Sequence, residues 1–223
     1  AFDISDAAAT QAAFDHIHQR QGAIDVLVNN AGIWGPVEYF WKTSLEAWHD
    51  TLDINVKGTV CCTHAALQHM VAHQRGTIIN MTSHAGAYRW PTSSAYSVSK
   101  AALIKLTENL SYETRRHRVS LFAYHPGLVL STGMGADAIA DTSTPEGSPL
   151  GLAVKWALEE QQAGRTADIE QSTRNLLRLA SGEYSSLSGC YLTAHDDLDA
   201  LMNDGEAIRA DDLLTLQVKK RSA

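Results

Sequence analysis

Cysteine is scarce in this chain of 223 residues: there are three, and two of them, Cys61 and Cys62, are adjacent. Such a set cannot build the disulfide framework of a small secreted domain, and neighbours in a helix point in different directions, so the thiols read as reduced and structural. Long apolar runs are missing as well. No stretch approaches the roughly 18 consecutive apolar residues of a membrane-spanning helix, and the first residues are polar and acidic rather than signal-like. Excess basic charge is also lacking, since 18 Lys and Arg stand against 25 Asp and Glu for a formal charge of -7. Coating nucleic acid or an anionic membrane takes Lys and Arg clustered on one face, so neither partner is expected. Arg115, Arg116 and Arg118 fall where a long helix ends and compensate its dipole, and Lys219, Lys220 and Arg221 read as a solvated tail. These exclusions leave a soluble protein of the cytoplasm.

What is present is enough apolar material, 44% of the chain, to bury one sizeable core, so a single domain over 1–223 is expected. Ile24 to Val28 is a short β-branched run preceded by Gly22 and closed by Asn29, Asn30 and Gly32, a pattern that suits a strand buried on both faces. Thr77 to Met81, Val119 to Tyr124 and Cys190 to Thr193 repeat the signal. Helical stretches lie around them: Ala7 to His18, Glu46 to Ala72, Ala95 to Arg116, and a pair within Gly151 to Ala180. Thr43 to Glu46 offers a capping box for the second, and Pro91 with Ser93 and Ser94 a turn and cap for the third. Strands separated by helices this long run parallel with right-handed crossovers, so the predicted architecture is α/β, a doubly wound, Rossmann-like parallel sheet. Ligands of such sheets bind at the carboxyl ends of the strands, where Asn29 to Gly32, Ser83, and Pro126 with Gly127 all fall.

Tyr96 and Lys100 stand four residues apart near a predicted helix start and so share one face. A cation there favours the phenolate of a phenol whose free pKa is about 10, which makes Tyr usable as an acid or base near neutral pH. Such a pair also occurs by chance. Ser83 ends a strand, with Gly86 three residues on allowing tight backbone passage; a Ser there is commonly a cap. A serine-hydrolase reading is rejected because Met81 and Ala85 occupy the positions that the G-x-S-x-G elbow gives to Gly. Asn55 interrupts a predicted helix, where Asn has poor propensity. Among the ten histidines, His69 and His73 share a helix face without a third ligand, so no metal is expected. His84 and His125 flank the predicted pocket.

Taken together, NNAG at Asn29 to Gly32, DINVKGT around Asn55, INMTS ending at Ser83, YSVSK with Tyr96 and Lys100, and HPGLVLST with Pro126 and Gly127 resemble the classical short-chain dehydrogenase/reductase family over most of the chain. The resemblance implies an NAD- or NADP-dependent oxidoreductase that interconverts a secondary alcohol and a ketone. Tyr96 would then carry the proton and Ser83 would orient the reacting oxygen. Lys100 would lower the Tyr96 pKa and bind the nicotinamide ribose, and Asn55 would hold a water linking the site to solvent. It also implies cofactor contacts at Asp3, Ile4, Asn30, Ala31 and Gly32 around the adenosine, at Pro126, Gly127 and Val129 along the nicotinamide, and at Thr132 to its carboxamide. The helices Glu46 to Ala72 and Ala95 to Arg116 correspond to those that pair in homodimers and homotetramers of the family.

The match has gaps. The family's Gly-rich phosphate turn has no counterpart here, and by similarity Asp3 closes a third strand, so further strand-helix units are expected before Ala1 in a complete parent protein. The chain alone is expected to leave Ile24 to Val28 as an open edge, to bind dinucleotide weakly and to aggregate. Residues 133–180 correspond to a variable substrate loop and helical region; within it, Met134 to Leu150 names no substrate. Trp34, Tyr88 and Trp90 are candidates for an apolar pocket wall. Residues 196–223 read as an acidic helix-like tail where carrier-linked acyl reductases have Asp-Gly-Gly. A noncatalytic scaffold of the same fold is the main alternative; an epimerase or dehydratase would need a larger substrate domain.

Overall fold

The computed structural model describes residues 2–218, so Lys219, Lys220 and Arg221 lie outside the described residues. In chain order the principal elements are α1 (Ala7–Gln21), β1 (Val26–Asn29), α2 (Leu45–Leu52), a π-helical turn (Asp53–Gly58), α3 (Thr59–His73), β2 (Gly76–Met81), α4 (His84–Ala87) and α5 (Ser94–Thr114). They continue with β3 (Val119–His125), α6 (Gly133–Ala140), α7 (Pro149–Gln162), α8 (Ile169–Ala180), β4 (Tyr191–Thr193), α9 (Leu198–Asn203) and α10 (Gly205–Ala210). The strands form one parallel sheet in the order β1-β2-β3-β4.

Side chains alternate across a strand, and the sheet uses both faces. Ile78 and Leu121 pack with Phe14 of α1 and with Cys62, Ala65, Ala66 and Met70 of α3. Their neighbours Ile79 and Phe122 face the other way, into a cluster with Leu179 of α8, Leu187, Leu192, Leu198 and Ile208. The Tyr124 hydroxyl ties that second layer to the sheet by donating to the Ser172 carbonyl at 2.6 Å. Parallel strands covered on both faces read as continuous apolar runs, as β2 and β3 do.

Several sequence expectations need correction. Three parallel strand-to-strand connections step across the sheet in one direction, yet α3 and α5 cover one face while α8 covers the other. The β3-to-β4 connection therefore has the opposite hand to the first two; the core on the α8 face dictates where that helix packs, over the general preference for one hand. β1 starts at Val26 rather than Ile24. It lies at the open edge expected of this chain alone, although its composition suits burial on both faces: Val26 is 40% and Val28 36% exposed, and among the described residues no strand flanks its outer side. The expected single helix from Glu46 to Ala72 is split by the π-helical turn. Ser44, not Thr43, caps α2 by accepting from Ala47 N–H at 3.3 Å. Ser93 stands at the N-cap of α5 without a side-chain bond. The segment after 196, read as a helix-like tail, forms α9 and α10 as far as it is described, and its Leu198 and Ile208 enter the core.

Candidate active site

The carboxyl ends of β1 and β2 are locked to the helices behind them by a buried amide network. Asn29 donates through Nδ2 to Thr63 Oγ1 at 2.9 Å and to Asn80 Oδ1 at 2.7 Å, and Asn80 Nδ2 donates to Thr107 Oγ1 at 2.9 Å. Buried amides with most of their bonds made hold a single geometry, so the network sets where the following loops leave the sheet. Asn29 is therefore spent on structure, while Asn30 and Ala31 line a small cavity of about 170 Å³ with Ile4, Phe2 and Leu27.

The π-helical turn positions Asn55, which is fully buried. Its Oδ1 accepts from Ile33 N–H at 2.8 Å, and its Nδ2 donates to the Ile33 carbonyl at 2.9 Å and to Ser99 Oγ at 3.0 Å. Both amide donors are thus used inside the protein, and the loop after β1 is clamped to the helix layer. This accounts for an Asn at a poor helical position without any water. A π-helical turn is often found at functional sites, and here it aims the amide at that loop.

Ser83, the residue two beyond β2, caps α4 and accepts from Ala85 N–H at 3.2 Å. Gly86 explains the closeness of α4 to α5: a Cβ there would meet the Lys100 carbonyl carbon at 2.5 Å and Ala101 N at 2.7 Å. Only a residue without a side chain permits that approach, which brings Ser83 beside Tyr96 in the first turn of α5. Lys100, one turn further and only 4% exposed, donates from Nζ to the Met81 carbonyl at 2.8 Å and lies 5.5 Å from the centre of the Tyr96 ring. A Cβ on Gly32 would stand 3.1 Å from Asn55 Oδ1 and 3.6 Å from Lys100 Nζ, so the NNAG loop, the π-helical turn and α5 meet at one point.

The electrostatics differ from the expectation. Burial pushes the Lys100 ammonium down to about 8. Burial also raises the Tyr96 phenol, against a smaller downward pull from the Ser83 hydroxyl. Desolvation is the larger influence on both groups, and it disfavours each charged form.

The remaining predicted contacts are spread along the same edge. Asp3 is exposed, and its Oδ1 accepts from Ser5 N–H and Ser5 Oγ at 2.8 Å each, which lowers its pKa. Ile4 packs against Gly58, where a Cβ would come within 2.6 Å of its side chain. Past β3, Pro126 leads into Gly127 at φ +82°, where a Cβ would meet the Ala167 side chain at 2.5 Å. Val129 is half-buried, and Thr132 caps α6 without a side-chain bond. Trp90 packs edge-on against Trp156 of α7 at 4.7 Å, Tyr88 is exposed, and Trp34 is half-buried. Ser99, Tyr191, His195 and Ala167 join the edge unannounced. His195 alone had a sequence signal, the Ala-His-Asp-Asp run after a strand. Among the described residues no group of His, Cys, Asp and Glu could hold a metal ion, His69 and His73 included.

A larger cavity of about 770 Å³ opens at the opposite, amino end of the sheet, lined by Arg75, Glu108, Arg118, Ser120 and Gly189 among others. It holds none of the predicted site residues.

With that geometry in hand, residues 1–143 match the sequence model of the family described as short chain dehydrogenase. The chain belongs to this family of oxidoreductases. It is 31% identical to 2-(S)-hydroxypropyl-CoM dehydrogenase 3 of Xanthobacter autotrophicus over 201 residues, 89% of this chain and 75% of that protein. It has the same identity, over 89% of this chain and 84% of the other, to a protein of that organism named inactive 2-(S)-hydroxypropyl-CoM dehydrogenase 2. Among solved structures, a gluconate 5-dehydrogenase from Burkholderia cenocepacia in complex with NADP and tartrate superposes with a TM-score of 0.75 at 27% identity, covering 89% of this chain and 74% of that one. A further solved neighbour holds NAD+.

Proposed function

We propose that this chain carries the hydride-transfer site of an NAD- or NADP-dependent oxidoreductase that interconverts a secondary alcohol and a ketone. The observation that carries the reading is the convergence on Lys100: a buried ammonium anchored to the Met81 carbonyl, with the Tyr96 ring on one side and Gly32 on the other. A buried amine with a single protein hydrogen bond keeps two donors for a ligand, and ribose hydroxyls suit them. When bound, the dinucleotide supplies or accepts the hydride. Asp3, Ile4, Asn30, Ala31 and Gly32 would hold its adenosine side, and Pro126, Gly127 and Val129 would bound its nicotinamide side. Gly127, lacking a Cβ, lets the Ala167 side chain pack against that segment and hold it in place.

Tyr96 passes a proton to or from the substrate oxygen at Oη. Ser83 donates to the same oxygen and fixes its position, so that proton and hydride arrive in one geometry. Lys100, when protonated, stands near the phenol and favours the phenolate electrostatically. Asn55 keeps the Ile33 loop in place, and the free lone pair of its Oδ1 is where a water would sit. Outward residues of α3 and α5, including Val60, Val98 and Tyr112, are exposed and suit pairing with a second copy in a homodimer or homotetramer. Free Cys61, Cys62 and Cys190 accord with the cytoplasm.

The test is to incubate the chain with NAD+ or NADP+ and a panel of secondary alcohols and to follow formation of reduced nicotinamide. Turnover that requires Ser83 and Tyr96 supports the reading. A second reading, a noncatalytic scaffold, draws on the inactive relative. Dinucleotide binding by calorimetry with no turnover of any alcohol would favour it.

A further inference from the structure

Three histidines from three separate parts of the chain meet beside Ser83. His84 follows it directly, His125 ends β3, and His195 follows β4. The His84 and His125 rings lie 4.3 Å apart, and the ring of Tyr191 on β4 is 6.3 Å from that of His84. His195 Nε2 would stand 3.5 Å from a Cβ on Gly127, and Gln171 of α8 bonds its other ring nitrogen at 3.0 Å. His84 is exposed, whereas His125 Nδ1 and Tyr191 Oη are buried and have no hydrogen-bond partner. Buried polar atoms without partners are uncommon in folded proteins and call for a water or a ligand. Both lie close to the exposed His84 ring, and an exposed side chain changes rotamer within nanoseconds.

The charge of this wall decides what it accepts. Burial and the neighbouring imidazoles hold His125 down to about 3, and burial with His195 lowers His84, so both are neutral at pH 7. The other titratable groups facing the cluster are the phenols of Tyr88, Tyr96, Tyr124 and Tyr191, the last three raised by burial and so uncharged at that pH, and the side chain of Asp196. Asp196 accepts from Thr193 N–H at 2.6 Å and is the acidic side chain facing the cluster among the described residues. Neutral imidazoles and phenols each donate and accept one proton, as an alcohol needs, while a carboxylate beside them repels anions.

We propose that His84, His125 and Tyr191, with His195 at the rim, form the polar wall of the substrate pocket and select a neutral substrate bearing a second hydroxyl next to the reacting carbon, in preference to a carboxylate or other anion. The proposal rests on the reading of Ser83 and Tyr96 as the reacting centre. The second hydroxyl enters as the His84 ring turns aside, accepts a hydrogen bond from one ring or phenol and donates a hydrogen bond to another. The Trp90 and Trp156 pair belongs to the apolar remainder of the pocket, six residues along the loop from His84 and on α7.

The experiment titrates the chain, with histidine rings isotopically labelled and NAD+ or NADP+ present as hydride acceptor, with 2,3-butanediol, 2-butanol and lactate, and compares turnover of the two alcohols by wild type and His84→Phe. His84 is exposed, so the replacement leaves the fold standing. The expected result is movement of the His84 and His125 ring signals with the diol alone. The preference of turnover for diol over 2-butanol should fall roughly tenfold in His84→Phe, the worth of one hydrogen bond. Ring signals that respond first to lactate, or to none of the three, overturn the proposal. Diol-specific ring shifts without turnover of either alcohol support the wall and sink the oxidoreductase reading instead, which keeps the two failures apart.

Discussion

The two ends of the sheet differ in what surrounds their polar groups. At the amino end a cavity of about 770 Å³ collects Arg75, Arg115, Arg118 and Arg209 with Asp25 and Asp212. Its one close ion pair, Arg75 to Asp25 at 2.8 Å, is exposed on both sides. At the carboxyl end the titratable groups are more enclosed: Lys100, Tyr96, His125 and Tyr191 are all pushed toward their neutral forms by desolvation. Volume alone would point to the amino end. Perturbed acids and bases gathered from several elements mark the place where chemistry can be done, because water at the open end levels any difference between groups.

The sharpest way to break this contrast is Tyr96→Phe, which removes the proton carrier and should lower turnover by roughly 10³-fold or more while dinucleotide binding, read by calorimetry, stays nearly intact. Unchanged turnover would take Tyr96 out of its role. Asn55→Ala comes next. It leaves Ile33 N–H, the Ile33 carbonyl and Ser99 without their partner in a buried place and should cost about 4 kcal/mol in urea unfolding. A loss below about 1 kcal/mol would mean that water replaces the amide freely.

Lys100→Met sharpens the contrast through pH. The folded chain releases the Lys100 proton near 8 and the unfolded chain near 10.5, so between those values the unfolded state binds more protons and wild-type stability rises with pH. Across that window wild type should gain about 3 kcal/mol on the variant, which lacks the titration. Parallel pH profiles would show that the amine is better hydrated than its burial implies. Arg75→Ala, at the amino end, should cost less than about 1 kcal/mol and leave turnover within about twofold, because an exposed ion pair is screened. A large loss of turnover there would erase the distinction between the two ends.

Much of the site was legible because local chemistry and sequence spacing coincide. Tyr96 and Lys100 had to share a helix face at a four-residue interval, and Ser83 had to leave the end of a buried strand. Asn55 was flagged by being out of place in a helix, but its partners were not legible, since only the fold brings Ile33 and Ser99 to it from 22 and 44 residues away. The same limit hid the meeting of Tyr191 and His195 with His84 and His125, which depends on the pairing of β4 with β3. The edge position of β1 was foreseen from the family match, while its composition alone predicted burial.

The sequence by itself determined the element order, the parallel sheet and which side chains stand at its carboxyl edge, because periodicity, turn residues and burial patterns act over a few residues. Tertiary structure alone decided the hand of the last crossover, the clamp on Ile33, the meeting of three histidines and the neutral bias of Lys100 and Tyr96. Those depend on which distant groups are packed together and how completely they exclude water. Desolvation is a property of the assembled interior, and no short window of sequence contains it.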